Sequence, residues 1–174
     1  MFSKKVIAIV AHDNKKDDAI EWVRFNWRTL VRHRLVCTGT TGALVEGCLD
    51  SEQRLAGGID PRVEENGPLE LLKLRSGPLG GDQQLGAMIA EEKIDLLVFF
   101  WDPMEPHPHD VDVKALLRIA VAYNVPTACN RSTADFIISS PLMAQDYRRI
   151  PPDFAAHAGR EALARLKNGR PGLR

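Results

Sequence analysis

This chain has no excess of charge, no long apolar run, few cysteines and no internal repeat, and each absence excludes something. Acidic and basic residues balance at 23 each over 174 residues, so no global field favours nucleic acid or an anionic membrane. The longest apolar run, Leu96 to Trp101, is far shorter than a bilayer span requires. The basic start Met1-Phe2-Ser3-Lys4-Lys5 before an apolar run mimics a signal peptide, but the run ends in His12-Asp13 with no small-residue cleavage site and reads as a first strand. Cys37, Cys48 and Cys129 lie far apart with no metal-type pair, a usage that fits reduced thiols in the cytoplasm. The turn Thr38-Gly39-Thr40-Thr41-Gly42 lacks the lysine of a P-loop and the spacing of a dinucleotide fingerprint, so neither a nucleoside triphosphate nor NAD is favoured.

What the chain does have is alternation. Val6–Val10 is a continuous apolar run, the pattern of a strand buried on both faces. Ile20, Val23, Trp27, Leu30 and Val31 follow at helical spacing, and Trp22 and Trp27 belong to a core or an interface. Further strands are expected at Leu35–Thr38, Leu69–Leu74, Asp95–Trp101 and Val125–Cys129, with helices at Thr41–Leu49, Gln84–Glu91, Val113–Tyr123, from Ala134 to Ile138, and at Asp153–Lys167. Strands separated by helices predict a doubly wound, flavodoxin-like three-layer α/β sandwich with a five-stranded, mainly parallel sheet, in one domain. The polar stretch from Asp50 to Pro68, with Gly57-Gly58 and Asn66-Gly67-Pro68, reads as a surface insertion, and 168–174 as a frayed tail.

In such folds ligands bind beyond the carboxyl ends of the strands. The distinctive polar residues fall at those ends: His12, Asp13 and Lys16 after the first, and Thr38, Thr40 and Thr41 after the second. Ser76, Gly77 and Asp82 follow the third; Asp102 and a loop with His107, His109, Asp110 and Asp112 follow the fourth; Asn130, Ser132 and Thr133 follow the fifth. Each group also has an ordinary explanation. Thr40 and Thr41 suit a helix cap as well as a phosphate cradle, Asp110 or Asp112 suits a cap of the next helix, and His12-Asp13 suits a strand-end turn. Ser76-Gly77-Pro78-Leu79-Gly80-Gly81-Asp82-Gln83-Gln84 leads glycines into a carboxylate at a helix start, where free N–H groups and the helix dipole favour phosphate. Histidines beside prolines are poor metal ligands, and no third ligand motif accompanies them, so no metal is expected.

Taken together, these segments resemble the methylglyoxal synthase family. The matching stretches are Val10–Asp13 with Lys16, Thr38–Gly42, Ser76–Gln84, Phe99–Pro103, Pro108–Lys114 and Ala134–Ile138, in family order from about Lys5 to Pro141. The region after Leu142 matches poorly, and the 50–68 segment is longer than usual. The resemblance implies a cofactor-free lyase reaction: dihydroxyacetone phosphate loses a proton to give an enediolate, and phosphate then leaves to yield methylglyoxal. It implies Asp82 as base, with His109 hydrogen-bonding the carbonyl and hydroxyl oxygens. Asp102 and Asp112 orient His109 or move protons, and His12 and Asp13 line the same pocket. Phosphate recognition falls to Lys16, Thr38, Thr40, Thr41, Ser76 and Gly77, with Arg165 the better of two C-terminal candidates for an arginine reaching a neighbouring subunit. It further implies a cytoplasmic homohexamer inhibited cooperatively by inorganic phosphate, with no nucleic acid or membrane partner.

Two other readings have different consequences. The same fold resembles the regulatory domain of carbamoyl phosphate synthetases, which binds effectors without chemistry. That reading explains the threonine-rich turn but does not require His12, Asp13, Asp82, His109 and Asp112 at once. A flavodoxin-like nucleotide module calls for an aromatic clamp at the strand ends, and none is seen.

Overall fold

The structure, a computed structural model, describes residues 3–57, 69–105 and 110–151, with Asp153 and Ala156 beyond them. Five strands form one sheet: β1 (Val6–Ala11), β2 (Arg34–Cys37), β3 (Glu70–Lys73), β4 (Leu96–Phe100) and β5 (Thr127–Ala128). Their spatial order is β3-β2-β1-β4-β5, and every pairing is parallel. The helices are α1 (Lys16–Leu30), α2 (Gly39–Leu55), α3 (Gly81–Ala90), α4 (Asp110–Ala122) and α5 (Arg131–Ile138). This is the expected doubly wound sandwich.

The two-residue period of a strand sorts the core into two layers. Ile7, Ile9 and Ala11 of β1, with Leu96, Val98 and Phe100 of β4, face α1, α2 and α5. Ala8 and Val10, with Leu97 and Phe99, face α3 and α4. Both strands are buried on both faces, which is why each reads as an unbroken apolar run. Trp22 and Trp27 belong to the first layer; Trp22 is fully buried, with its ring 5.9 Å from that of Phe100. Burying such side chains contributes roughly 2–3 kcal/mol each. Cys37, Cys48 and Cys129 are free thiols, and burial pushes the Cys37 thiol up to about 12.

Two boundaries differ from the sequence reading. Helix α2 runs to Leu55 rather than ending at Leu49, so Asp50–Leu55 continue the helix instead of opening a surface insertion. The polar run there is a solvent-facing helical flank, with Ser51 Oγ donating to the Gly47 carbonyl at 2.7 Å. Helix α4 starts at Asp110, so Asp110 and Asp112 sit in its first turn and not in a loop. Residues 58–68, the expected helix over 154–167 apart from Ala156, and the 168–174 tail lie outside the described residues.

Candidate active site

The strand order changes direction between β1 and β4, because the chain returns from β3 at one edge to β4 on the other side of β1. Open α/β sheets bind ligands at such a switch point. Here it opens into a cavity of about 310 Å³ lined by Val10, Ala11, His12, Asp13, Lys16, Thr38, Thr40, Thr41, Ser76, Gly77, Pro78, Asp82 and Phe99. Val10 and Phe99, directly paired across β1 and β4, belong to its apolar lining with Ala11 and Pro78. Nine residues singled out from sequence therefore share one cavity: His12, Asp13, Lys16, Thr38, Thr40, Thr41, Ser76, Gly77 and Asp82.

The first element is a cradle. Thr38, rather than Thr40 or Thr41, is the N-cap of α2, and its side chain makes no capping bond. The opening amides of a helix have no carbonyl partner within it, and its dipole is positive there. The Lys16 ammonium crosses from α1 to this turn, donating to Thr40 Oγ1 at 2.6 Å and to Asp13 Oδ1 at 2.5 Å. Gly39 lets the turn close on the β3 loop. Its φ of +21° is a conformation side chains rarely adopt, and a Cβ there would fall 2.7 Å from Ser76 Cα. Its N–H donates to the Leu74 and Arg75 carbonyls, both at 3.1 Å.

The second element is a carboxylate. Asp82 lies in the first turn of α3 and is only 5% exposed. It is held against the Gly77 backbone so closely that a Cβ on Gly77 would sit 3.0 Å from Asp82 Oδ2. A carboxylate buried at a helix start, beside a cationic cradle, is placed to act on a phosphate ester held between them.

The third element is His12, buried at the end of β1. Its ring meets Phe99 edge-on at 5.1 Å, and its Nδ1 accepts the Asp102 N–H at 3.2 Å. That bond fixes the imidazole as an acceptor at Nδ1, so in the neutral ring the proton resides on Nε2. Asp102 itself does not line the cavity; it stands beside it. The Met104 N–H at 2.9 Å, and after it the Asn14 amide, hold its carboxyl below the usual carboxylate range.

Asp112 is placed elsewhere. It lines a separate groove of about 280 Å³ between α3 and α4, which Asp82 also borders. His107, His109 and Arg165 lie outside the described residues. Among the described residues no group of three or more histidine, cysteine, aspartate or glutamate side chains could hold a metal ion. Asn130 is an ordinary cap, its side chain accepting the Thr133 N–H at 2.9 Å. Sequence reasoning gave no role to Phe99, Pro78 or Asn14. Only Phe99 carried a usable signal, since its alternation on β4 puts it on the same face as Val10.

Fold and cavity together define the class: a doubly wound α/β protein with a polar cavity and a buried carboxylate at its switch point. An MGS-like domain family model matches residues 63–129. The methylglyoxal synthase of Maridesulfovibrio salexigens is 52% identical over 162 residues, covering 92% of this chain and 99% of that protein. That of Cellvibrio japonicus is 51% identical over 160 residues, covering 92% of each. The crystal structure of methylglyoxal synthase from Elizabethkingia anophelis superposes with a TM-score of 0.74 at 47% identity, over 89% of this chain and 90% of that one. The chain belongs to the methylglyoxal synthase family.

Proposed function

We propose that this chain converts dihydroxyacetone phosphate to methylglyoxal and inorganic phosphate. The observation that carries the reading is that an anion cradle and a buried carboxylate share one small cavity. Asp82 takes the proton from the hydroxyl-bearing carbon, leaving an enediolate. His109 hydrogen-bonds the oxygens as charge grows on them, and His12 offers its Nε2–H. The bond between carbon and the phosphate oxygen then breaks, and the enol left behind tautomerises to methylglyoxal. Atoms balance without water, metal or redox cofactor.

Lys16, Thr38, Thr40, Thr41, Ser76 and Gly77 hold the phosphate, with Arg165 of a neighbouring subunit completing the shell. Asp13, Asp102 and Asp112 serve proton movement and orientation. Elimination is fast when the breaking bond stands perpendicular to the enediolate plane, and the cradle holds that conformer; a bound enediolate mimic with an in-plane phosphate oxygen would refute this. The assembly is a cytoplasmic homohexamer, and exposed Phe25 and Phe136, on α1 and α5, support burial of that surface between copies. Inorganic phosphate inhibits such an assembly cooperatively. Hyperbolic kinetics at every phosphate concentration would count against that.

The test is to incubate the protein with dihydroxyacetone phosphate and follow methylglyoxal and phosphate together. Equal release of both is expected. A folded protein that releases neither, but binds nucleotides, is instead an effector-binding domain.

A further inference from the structure

Asn14 is solvent-exposed, yet its side chain is committed to two partners far away in sequence. It sits in the 3-10 turn Asp13–Lys15, between His12 and Lys16. Its amide nitrogen donates to Asp102 Oδ2 at 2.9 Å and also to Glu105 Oε2, residues 88 and 91 positions away. Both partners are carboxylates, which only accept, so chemistry requires the amide NH₂ to face them. The other Asp102 oxygen, Oδ1, accepts the Met104 N–H, so this carboxylate is fixed at both ends. A second crosslink runs the opposite way, from the Asp102 N–H to His12 Nδ1. The turn after β1 and the segment after β4 are thus tied by donors from each side.

We propose that Asn14 is a positioning residue: by tethering Asp102 and Glu105 it fixes the Asp102 backbone N–H that orients the His12 imidazole in the cavity. The inference rests on the lyase reading for its kinetic consequences, but not for the tether itself. Asn14 is not among the residues that line the cavity. A neutral amide suits the task. It carries two N–H donors for two carboxylates, and it adds no charge where a phosphate dianion must arrive. An aspartate there would place three carboxylates together with no donor between them. A surface asparagine that merely capped its own turn would bond locally, and this turn has no side-chain cap bond.

The experiment compares Asn14→Ala, Asp102→Asn and the double variant, with Asn14→Ser as a second probe of the tether. Asn14→Ala is expected to lower kcat about 10- to 100-fold, the scale of an ångström-level misplacement, with little change in KM or melting temperature. Adding it to Asp102→Asn should cost little more, because the two act through one link. In the nitrogen spectrum of the protein without ligand, His12 should show an unprotonated Nδ1 in the wild type and lose that fixed pattern in Asn14→Ala. Wild-type kcat in both Asn14 variants overturns the proposal. So do losses that multiply in the double variant, or a His12 signal that ignores Asn14. If the wild type makes no methylglyoxal, the lyase reading fails, and the His12 spectrum alone decides the tether.

Discussion

The two ends of the sheet differ in what their polar side chains bond. At the amino end, side chains complete backbone groups. His33 Nδ1 accepts the Lys5 N–H at 3.1 Å, Asp95 Oδ2 accepts the Val6 N–H at 2.8 Å, and Lys5 Nζ donates to the Gln145 carbonyl at 2.6 Å. At the carboxyl end near β1 and β2, the cap of α2 makes no capping bond and Lys16 bonds two other side chains. Farther out, past β5, Asn130 caps α5 in the ordinary manner. The sheet is thus closed by its own side chains at one end. At the other, the cap of α2 is left without a side-chain bond, while beside it His12 and Asp102 accept backbone N–H groups.

Four perturbations break or sharpen this contrast, from the strongest to the weakest. Asp82→Asn keeps the size and a hydrogen-bonding oxygen but removes the base, so turnover should fall about 10²- to 10⁴-fold with folding intact. Circular dichroism beside the coupled product assay separates those effects.

The amino end should answer to acid instead. Burial, then the charges of Arg32, Lys5 and Lys4, push the His33 imidazole down to about 4 from the ordinary 6.5. The unfolded chain therefore takes up the proton first. The stabilisation from this neutral, buried ring is complete above pH 6.5 and drains away as pH falls toward about 4, to a total of about 3 kcal/mol. Urea unfolding at pH 7, 5.5 and 4.5 checks this; a pH response unchanged by His33→Gln would remove the assignment.

Thr40→Val takes away the oxygen that receives Lys16 while keeping the shape. It should raise KM for the phosphate ester about tenfold and shift unfolding by less than about 1 kcal/mol. A loss of stability with unchanged KM would return Thr40 to a structural role. Last, Asn130→Ala should cost about 1 kcal/mol of stability, as cap removals do, and leave turnover alone. An Asn130 variant that loses turnover would extend the ligand end of the sheet as far as β5.

The sequence made the sheet legible where burial was complete. Residues of β1 and β4 read as strands because both faces are covered, and α1 read as a helix because one face of it is. At the edges the signal thinned. Strand β3 is half exposed and shorter than its apolar run, and β5 pairs through only two residues. The end of α2 was missed because Ser51, Glu52 and Arg54 look like loop residues in sequence, although Glu52 pairs with Arg24 of α1 at 3.4 Å. The candidate site was legible after β1, β2 and β3, whose ends the topology gathers, whereas Asp102 after β4 and Asn130 after β5 do not line the cavity. Pairings such as Asn14 with Asp102 depend on which strands are neighbours, and a separation of 88 positions carries no trace of that. Asp112 shows the complementary limit: its motif matched, but the first turn of α4 places it in a different groove from the cradle.

The state of the thiols has a consequence for endurance. An α-oxoaldehyde such as methylglyoxal is a reactive electrophile, and the form of cysteine it meets fastest is the thiolate. Burial suppresses the acid dissociation of Cys37, Cys48 and Cys129 alike, raising each thiol above its ordinary pKa, with Cys37 pushed up to about 12. At neutral pH all three are kept as thiols. A catalyst that releases its product beside its own surface thereby offers that product few sulfur nucleophiles, and the packing that holds the sheet together also slows the chain's poisoning by what it makes.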